Sequence, residues 1–349
     1  AHEQWPSALD RCVVVVRGRV PRIRHGASLA SASMLPRLRK LHFSGPRECN
    51  LRSLGEYDSR VSTARRIEAS QLTAAVADHA EGPIWDARAG LARWVDMPPG
   101  LVNRLDLRDG GADAMPTIQR VADFAAIVRP RANGGWVVCT RDTIRLCDDA
   151  FGLEREIAVP MVPGERFNDG TGAPDGTFYG GTREHGGAGR LLRLQPDGRL
   201  DTVLTDVTVS NGISATPDGQ RMIYIDSATQ RVDVFDLDEH GLHDRRTLVD
   251  LDGVVGAPDG LAVDETGGVW VAMWGGRSVR GYDADGELVA IIDVPTIQPS
   301  ACAFVGDDLR TLLITTSTQD LAPGEDALAG ALFAAEPGVA GLPPLPFAG

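Results

Sequence analysis

Four short motifs place an acidic or amide side chain beside glycine or proline, at the start of a run of β-prone residues. These side chains are Glu81 in Glu-Gly-Pro-Ile-Trp-Asp, Asn168 and Asp169 in Phe-Asn-Asp-Gly, Asn211 in Ser-Asn-Gly-Ile, and Asp259 in Ala-Pro-Asp-Gly-Leu. Their oxygens are hard ligands, which suit calcium, magnesium or manganese better than a soft metal. Any one motif taken alone is explained more simply as a turn, because Asn-Gly and Asp-Gly favour turns. A metal site requires the motifs to converge.

No standard catalytic signature competes with this set. The sequence has no G-x-S-x-G nucleophile elbow and no H-E-x-x-H zinc motif. Lys40 is its only lysine, so neither a phosphate-binding Walker loop nor a Schiff-base lysine can lie beyond residue 60. His240 and His243 lie close together in the sequence. They indicate either a surface metal site or a polar hairpin turn, and we favour the turn.

Donors so far apart in sequence can meet only if the elements that carry them repeat around a common centre. From Arg65 onward, β-prone runs of four to six residues alternate with turn signals. Pro-Asp-Gly recurs at Pro174, Pro196, Pro217 and Pro258, with 43 residues from the first to the third and 41 from the third to the fourth. This period is typical of a propeller blade of four strands. We therefore predict an all-β propeller whose inner strands begin around a central channel.

The propeller is predicted to span residues 64–349. These 286 residues divide into six blades of about 48 residues or seven of about 41, and the spacing alone leaves both counts open. Closure of the ring is expected to bring the first strand of the domain into the same blade as the last ones. Arg66–Ser70 and Ala331–Ala335 are the candidates for that shared blade.

Residues 1–63 differ from the rest in charge and pattern. Residues 1–60 carry 11 basic and 5 acidic side chains, although the whole chain has a net charge of −13. Their one strong apolar cluster, Val13–Val16, is shorter than the roughly 7–15 residues of a secretory signal core. We interpret residues 1–63 as a basic N-terminal extension that is disordered or loosely attached. An organelle-targeting peptide and a segment that is not naturally translated are the alternatives.

The acidic composition excludes several classes of partner. With 48 acidic and 35 basic residues, the surface repels nucleic acid and anionic lipid. No apolar run approaches the roughly 18 residues of a membrane span. The five cysteines are odd in number and lack CxxC spacing, so we expect free thiols and a cytoplasmic location. The oligomeric state stays open.

The order and spacing of the motifs resemble those of the SMP-30/gluconolactonase/regucalcin family of six-bladed propeller lactonases. The resemblance runs from about Ala64 to the C-terminus, and it implies six blades of four antiparallel strands. The motifs that carry it are Glu81-Gly-Pro-Ile-Trp-Asp, Arg166-Phe-Asn-Asp-Gly, Phe178-Tyr-Gly-Gly-Thr, Ser210-Asn-Gly-Ile, Tyr224-Ile-Asp-Ser, Pro258-Asp-Gly-Leu-Ala-Val-Asp, Gly267-Gly-Val-Trp-Val-Ala and Ser300-Ala-Cys-Ala-Phe.

Taken position by position, the resemblance implies a ligand set and a substrate pocket. Glu81, Asn211 and Asp259 are the implied ligands of one divalent metal ion, which is Ca, Mg, Mn, Zn or Fe. Arg166 and Asn168 are implied to line the substrate pocket, with Asn168 also near the metal. The family further has a substrate-contacting glutamate after its Gly-Thr strand. The nearest match here, Glu184, is shifted by about two residues.

The implied activity is metal-dependent hydrolysis of a sugar (aldono) lactone to the corresponding acid, with the small-molecule lactone as the partner. Asp259 is the candidate general base, because a ligand carboxylate can also take a proton from an attacking water. Two other functions stay open. One is a related propeller hydrolase that acts on aryl esters or phosphotriesters, and the other is a calcium-binding propeller without enzymatic activity.

Overall fold

The computed structural model describes residues 64–349, so the predicted N-terminal extension lies outside the described residues. This part of the chain is built almost entirely from strands, with two single-turn 3₁₀ helices at Leu107–Asp109 and Ser227–Thr229. Neither helix has the length or apolar character needed to cross a membrane. The all-β prediction is confirmed.

Residues 64–349 form twenty-five strands. The opening strands are β1 (Arg65–Glu68) and β2 (Ser70–Gln71). Blade 1 contains β3 (Ala80–Asp86), β4 (Leu91–Asp96), β5 (Leu101–Leu105) and β6 (Thr117–Arg120), and blade 2 contains β7 (Ile127–Pro130), β8 (Trp136–Cys139), β9 (Thr143–Cys147) and β10 (Leu153–Ala158). Blade 3 contains β11 (Arg166–Gly172), β12 (Phe178–Arg183), β13 (Gly189–Leu194) and β14 (Leu200–Val207).

Blade 4 contains β15 (Ser210–Ala215), β16 (Arg221–Asp226), β17 (Arg231–Asp238) and β18 (Gly241–Asp250). Blade 5 contains β19 (Ala257–Val263), β20 (Val269–Trp274), β21 (Ser278–Tyr282) and β22 (Leu288–Asp293). Blade 6 contains β23 (Pro299–Val305), β24 (Thr311–Thr316) and β25 (Phe333–Ala335).

Consecutive strands within each blade pair in antiparallel fashion. The first strand of each blade contacts the first strand of the next, and β23 contacts β3, so the blades form a closed ring. We call these first strands, β3, β7, β11, β15, β19 and β23, the inner strands. The predicted six-bladed propeller is confirmed, and its channel is lined by the inner strands.

The opening strands close the ring in a way that matches the prediction only in part. Ser70 in β2 pairs antiparallel with Ala334 in β25, so the start of the domain supplies the fourth strand of blade 6. In contrast, β1 runs parallel to β22 as a fifth strand of blade 5, with Ile67 opposite Ile292. The prediction was therefore wrong for Arg66–Glu68, because the open edge of β22 offers unpaired backbone groups that β1 satisfies.

Three of the four Pro-Asp-Gly motifs form the expected turns. Their glycines are Gly176, Gly198 and Gly219, with φ angles of 77°, 93° and 67°. The fourth motif is different, because Pro258–Gly260 lies inside the inner strand β19. Gly260 does not have a positive φ. A glycine is needed there because a Cβ would lie 2.4 Å from the Cβ of Ala301 in the next inner strand. The motif therefore marks close packing of two inner strands and not a turn.

Apolar side chains fill the space between neighbouring blades. One cluster joins blades 1, 2 and 3 through residues such as Val95, Val128 and Phe167, each 0% exposed. Such dense packing holds the inner strands in fixed positions around the channel. The cysteines of residues 64–349, which are Cys139, Cys147 and Cys302, are buried and unpaired, as expected for free thiols.

Candidate active site

Each predicted metal ligand lies near the start of an inner strand, with its side chain buried. Glu81 is in β3, Asn211 in β15 and Asp259 in β19. Their exposed fractions are 5%, 5% and 6%. Because the inner strands all begin at the same end of the channel, three distant chain segments bring oxygen atoms into one buried region.

A β-bulge accompanies each of these ligands. The pairing register with the second strand of the blade shifts just after Glu81 in β3, after Ser210 in β15 and after Pro258 in β19. A bulge adds one residue to a strand and redirects the local side chains, which is a common way to aim a side chain at a site. The inner strands β11 and β23 show the same shift, whereas the ladder between β7 and β8 has none, and β7 contributes Arg129 instead of an oxygen donor.

The two asparagines belong to one hydrogen-bonded chain across three blades. Asn168 Nδ2 donates to Asn211 Oδ1 at 3.3 Å and to the carbonyl of Ser210 at 3.0 Å. Asn211 Nδ2 donates to Ser227 Oγ at 2.9 Å, and Ser227 Oγ donates to the carbonyl of Pro258 at 2.6 Å. These bonds orient the amide of Asn211. Its oxygen keeps a second lone pair, which can bind a cation.

Arg166 is held beside Asn168 at the start of β11. Its Nη1 donates to Asn168 Oδ1 at 2.9 Å and to the carbonyl of Phe167 at 2.8 Å. The structure therefore brings both predicted substrate-pocket residues, Arg166 and Asn168, next to Asn211. Both are half-buried, whereas the three predicted ligands are buried.

Three carboxylates share this buried region. Burial raises the pKa of Glu81, and the charge of Asp169 raises it further. Burial likewise raises the pKa of Asp259 well above its ordinary value, with further contributions from Glu81 and Asp169. Asp169 is itself 7% exposed, and burial raises its pKa. The three groups therefore repel one another, and their ionised forms need a nearby positive charge.

Arg129 supplies part of that charge from within the protein. Its Nη2 lies 3.1 Å from Asp169 Oδ1, and its Nη1 donates to the carbonyl oxygens of Gly82 at 3.1 Å and Val128 at 2.8 Å. Gly82 has a φ of 54°, and a Cβ there would lie 3.2 Å from Arg129 Nη1. The motif glycine after Glu81 therefore provides both the left-handed backbone and the space for the guanidinium.

The donor set fits a divalent cation. When ionised, Glu81, Asp169 and Asp259 place three negative charges in one buried region, where Arg129 pairs with Asp169, and the charges of Arg166 and Arg183 act on Glu81 and Asp259. Buried charges are normally paired or bound to metal ions. Glu81, Asn211 and Asp259 present carboxylate and amide oxygens, which are the ligands that hard divalent cations prefer.

His79, Arg183 and Trp274 adjoin the same region, although none of them was predicted as a site residue, and Trp274 was expected in the core. Burial, Arg166 and Arg183 together lower the pKa of His79 to about 3. His79 Nδ1 lies 2.8 Å from Ser317 Oγ, and the His79 ring packs edge-to-face against Trp274 at 5.5 Å. The imidazole is therefore neutral, because burial and the two guanidinium groups disfavour its charged form.

A family model, described as the SMP-30/gluconolactonase/LRE-like region, matches residues 79–318 of the chain. This span begins two residues before Glu81 and contains all six inner strands. The chain belongs to the SMP-30/gluconolactonase/LRE-like family. The family predicted from the motifs is confirmed.

Curated members of this family and solved structures resemble the chain over most of its length. A 6-deoxy-6-sulfogluconolactonase of Pseudomonas putida is 35% identical over 77% of this chain and 94% of its own. The pentonolactonase XacC of Haloferax volcanii is 33% identical over 75% of this chain and 92% of its own. The crystal structure of a calcium-binding regucalcin of Agrobacterium tumefaciens superposes with a TM-score of 0.73 at 24% identity, covering 82% of this chain and 99% of that protein. That structure supports the shared fold.

In this family member, Glu184 is engaged with its own turn. Its Oε2 accepts hydrogen bonds from the backbone N–H groups of Gly186 at 2.8 Å and Ala188 at 3.1 Å. The side chain is half-buried between β12 and β13, and it does not join the carboxylates at the start of the inner strands. A role for Glu184 in substrate binding stays a prediction.

The two neighbouring histidines lie at a hairpin on the outside of blade 4. His240 is in the turn between β17 and β18, as we favoured from the sequence. Asp236, His243 and Asp244 place one ligand atom each within 4.8 Å of one another. Arg246 Nη2 already donates to Asp236 Oδ1 at 2.8 Å, so part of the negative charge of this exposed group is compensated.

A separate cavity of about 480 Å³ lies in the channel beyond the carboxylates. It starts at Gly82, Arg129 and Asp169 and continues along the later residues of the inner strands to Leu342–Leu345. Its walls are mainly apolar, and Arg166, Asn168 and His79 are not among its lining residues. We therefore place the candidate substrate pocket at the start of the inner strands and not in this cavity.

Proposed function

We propose that this protein hydrolyses the ring ester of a sugar lactone to the open-chain acid, with one divalent cation held by Glu81, Asn211 and Asp259. The observation that carries the proposal is that three inner strands bring these buried oxygen donors into one region, where Glu81 and Asn211 act on the carboxyl of Asp259. The names of the two curated relatives, a sulfogluconolactonase and a pentonolactonase, support lactone hydrolysis as the reaction.

The residues of this site have separate tasks in the proposed reaction. A bound divalent cation supplies Lewis acidity toward the lactone carbonyl and a lowered pKa for a water molecule. Asp259 takes one proton from the water while the water oxygen forms a bond to the carbonyl carbon. The bond from that carbon to the ring oxygen then breaks, and the ring oxygen leaves as a hydroxyl after it receives the proton.

Arg166 and Asn168 bind and orient the hydroxyl groups of the sugar. Arg166 is positioned by its bonds to Asn168 Oδ1 and the carbonyl of Phe167. Correct orientation of a bound substrate contributes a large part of the rate of many enzymes. Neutral His79 and Trp274 form the adjoining wall.

Cation binding is expected to raise the melting temperature of the metal-free protein. Calcium, magnesium or manganese at about a hundredfold excess over its Kd should raise Tm by roughly 5–10 °C, because the cation binds the folded state only. Differential scanning calorimetry after chelation and dialysis measures this shift. Glu81→Gln should lose most of it.

The surface group on blade 4 provides the matched control for that experiment. Asp236→Asn removes one carboxylate from the exposed cluster with His243 and Asp244 and should keep the full shift. A shift that is lost in Asp236→Asn but kept in Glu81→Gln would place the cation on the surface and contradict the proposed centre.

Turnover on a panel of substrates tests the reaction itself. We expect hydrolysis of five- and six-membered aldonolactones in the presence of a divalent cation, measured by acid release at constant pH. Aryl esters and phosphotriesters in the same assay test the related propeller hydrolases. Cation binding without turnover of any substrate would instead support a non-enzymatic calcium-binding propeller.

We also propose that the protein works in a reducing cytoplasm on a small-molecule lactone. Three buried, unpaired cysteines in the described part of the chain support that compartment. The negative net charge of −13 supports a partner other than nucleic acid or an anionic membrane.

A further inference from the structure

Three arginines, Arg141, Arg166 and Arg183, lie together at the end of the channel where the inner strands begin, and we call them the arginine rim. Arg166 in β11 and Arg183 in β12 are cross-strand partners. The guanidinium carbons of Arg141 and Arg166 lie 4.4 and 5.0 Å from the centroid of the same Phe124 ring. The rim is therefore one structural feature, although its members come from two blades.

Arg141 is the exposed member of the rim. It lies in the loop between β8 and β9, and the Phe124 ring supports its guanidinium. Among residues 64–349 it forms no ion pair and no side-chain hydrogen bond. A guanidinium that stacks on an aromatic ring keeps its N–H groups in its own plane, where they can donate to a partner. Arg141 is thus a positioned cation with free donors.

The rim concentrates positive charge on an otherwise acidic protein. The chain carries a net charge of −13, yet Arg141 and Arg166 stack on the same Phe124 ring, and Arg183 lies opposite Arg166 on the neighbouring strand. A local positive patch beside a reaction centre attracts and orients an anionic group of a ligand. The rim also adjoins Asn168, so a substrate that contacts Asn168 can reach it with its far end.

We propose that the arginine rim binds an anionic substituent, a sulfonate or phosphate, at the end of the lactone remote from the ring ester, with Arg141 as a specificity-determining residue. This inference rests on the lactonase function proposed above. The planar guanidinium matches two oxygens of such a group. In this proposal Arg141 contacts the anionic substituent, and the residues of the inner strands contact the ring ester.

The anion preference of the arginine rim is tested by comparing the kinetics of three substrates, which are D-glucono-δ-lactone, its 6-phosphate and its 6-sulfonate. We expect kcat/KM to favour the anionic lactones by roughly ten- to a hundredfold, the effect of charge-assisted hydrogen bonds. Arg141→Gln should remove most of this preference, mainly through a higher KM, and Arg141→Lys should keep part of it. The relative values for the 6-sulfonate and the 6-phosphate identify which anion the rim prefers.

Arg104→Gln is the matched control, because Arg104 is an exposed arginine on β5 of blade 1. It removes the same charge at a distance from the rim and should leave the preference unchanged. A wild-type protein that prefers the neutral lactone would overturn the inference. So would a preference for the anionic lactones that Arg141→Gln does not reduce.

A binding measurement separates this inference from the lactonase proposal. Isothermal titration calorimetry with gluconate and 6-phosphogluconate measures the affinity of the arginine rim for the phosphate without turnover. We expect the phosphorylated acid to bind at least about tenfold more tightly, with a difference that shrinks between about 50 and about 500 mM salt and is lost in Arg141→Gln. Absence of turnover on every lactone would contradict the proposed function. Equal binding of the two acids would contradict the proposed anion-binding role of the arginine rim.

Discussion

Asp259→Ala is expected to lower kcat/KM for the lactone substrate by at least about a thousandfold. The change removes a general base, which alone contributes roughly a hundred- to ten-thousandfold, together with one ligand of the cation. The rise in Tm on adding calcium should shrink in the same variant, because Asp259 is one of the buried carboxylates that attract the cation. Steady-state kinetics and calorimetry on the same preparation measure the two effects.

Asp259→Asn separates the two roles of this residue. The amide keeps an oxygen donor of similar geometry but cannot accept the proton from water. We expect this variant to keep part of the calcium-dependent rise in Tm while its turnover falls nearly as far as that of Asp259→Ala. Asp285→Asn changes an exposed aspartate in the turn after β21 and should behave like the wild type. Full turnover in Asp259→Asn would show that another group takes the proton.

The donors of the site were predictable because they stand in short motifs with glycine. The structural reason for these glycines could not be predicted from the sequence. A Cβ on Gly212, which follows Asn211, would lie 2.7 Å from the backbone nitrogen of Leu261, and Gly260 is similarly crowded by Ala301. These glycines let neighbouring inner strands approach each other. Sequence rules that assign Asn-Gly and Asp-Gly to turns therefore do not explain why these glycines are needed.

Arg129 and His79 had no comparable local signal. Arg129 lies in Ile127–Pro130, which reads as an ordinary buried strand, and its partners Gly82 and Asp169 belong to other blades. The environment of His79 likewise comes from Arg166 and Arg183. Charge compensation of this kind depends on which blades are neighbours in the ring. A single sequence gives the period of the blades but not the side chains that face each other across the channel.

The fold shows the same division between local pattern and tertiary pairing. Turn spacing predicted the blades, because each blade needs its own turns. The parallel pairing of β1 with β22 had no such signal, since Arg65–Glu68 is a short, mostly exposed strand. Its place depends on the open edge of blade 5. Length likewise did not distinguish six blades from seven, and the closed ring of six inner strands does.

Arg129→Met is expected to lower the free energy of unfolding of the metal-free protein by about 3–5 kcal/mol, because breaking a buried ion pair leaves an uncompensated charge. The carboxylate of Asp169 would remain buried beside Glu81 and Asp259, and the carbonyl oxygens of Gly82 and Val128 would lose their donor. Denaturant unfolding measures the loss. Calcium should recover more stability in this variant than in the wild type, since the cation then faces a more negative site.

Arg145→Met provides the control for Arg129→Met within the same blade. Arg145 pairs with Glu156 at 2.7 Å, but their side chains are 29% and 39% exposed. Exposed ion pairs contribute roughly 0–1 kcal/mol, so this variant should lose little stability and gain no extra stabilisation from calcium. Equal losses in the two variants, or a calcium effect that does not depend on Arg129, would mean that Arg129 is not the internal counterion of the carboxylate cluster.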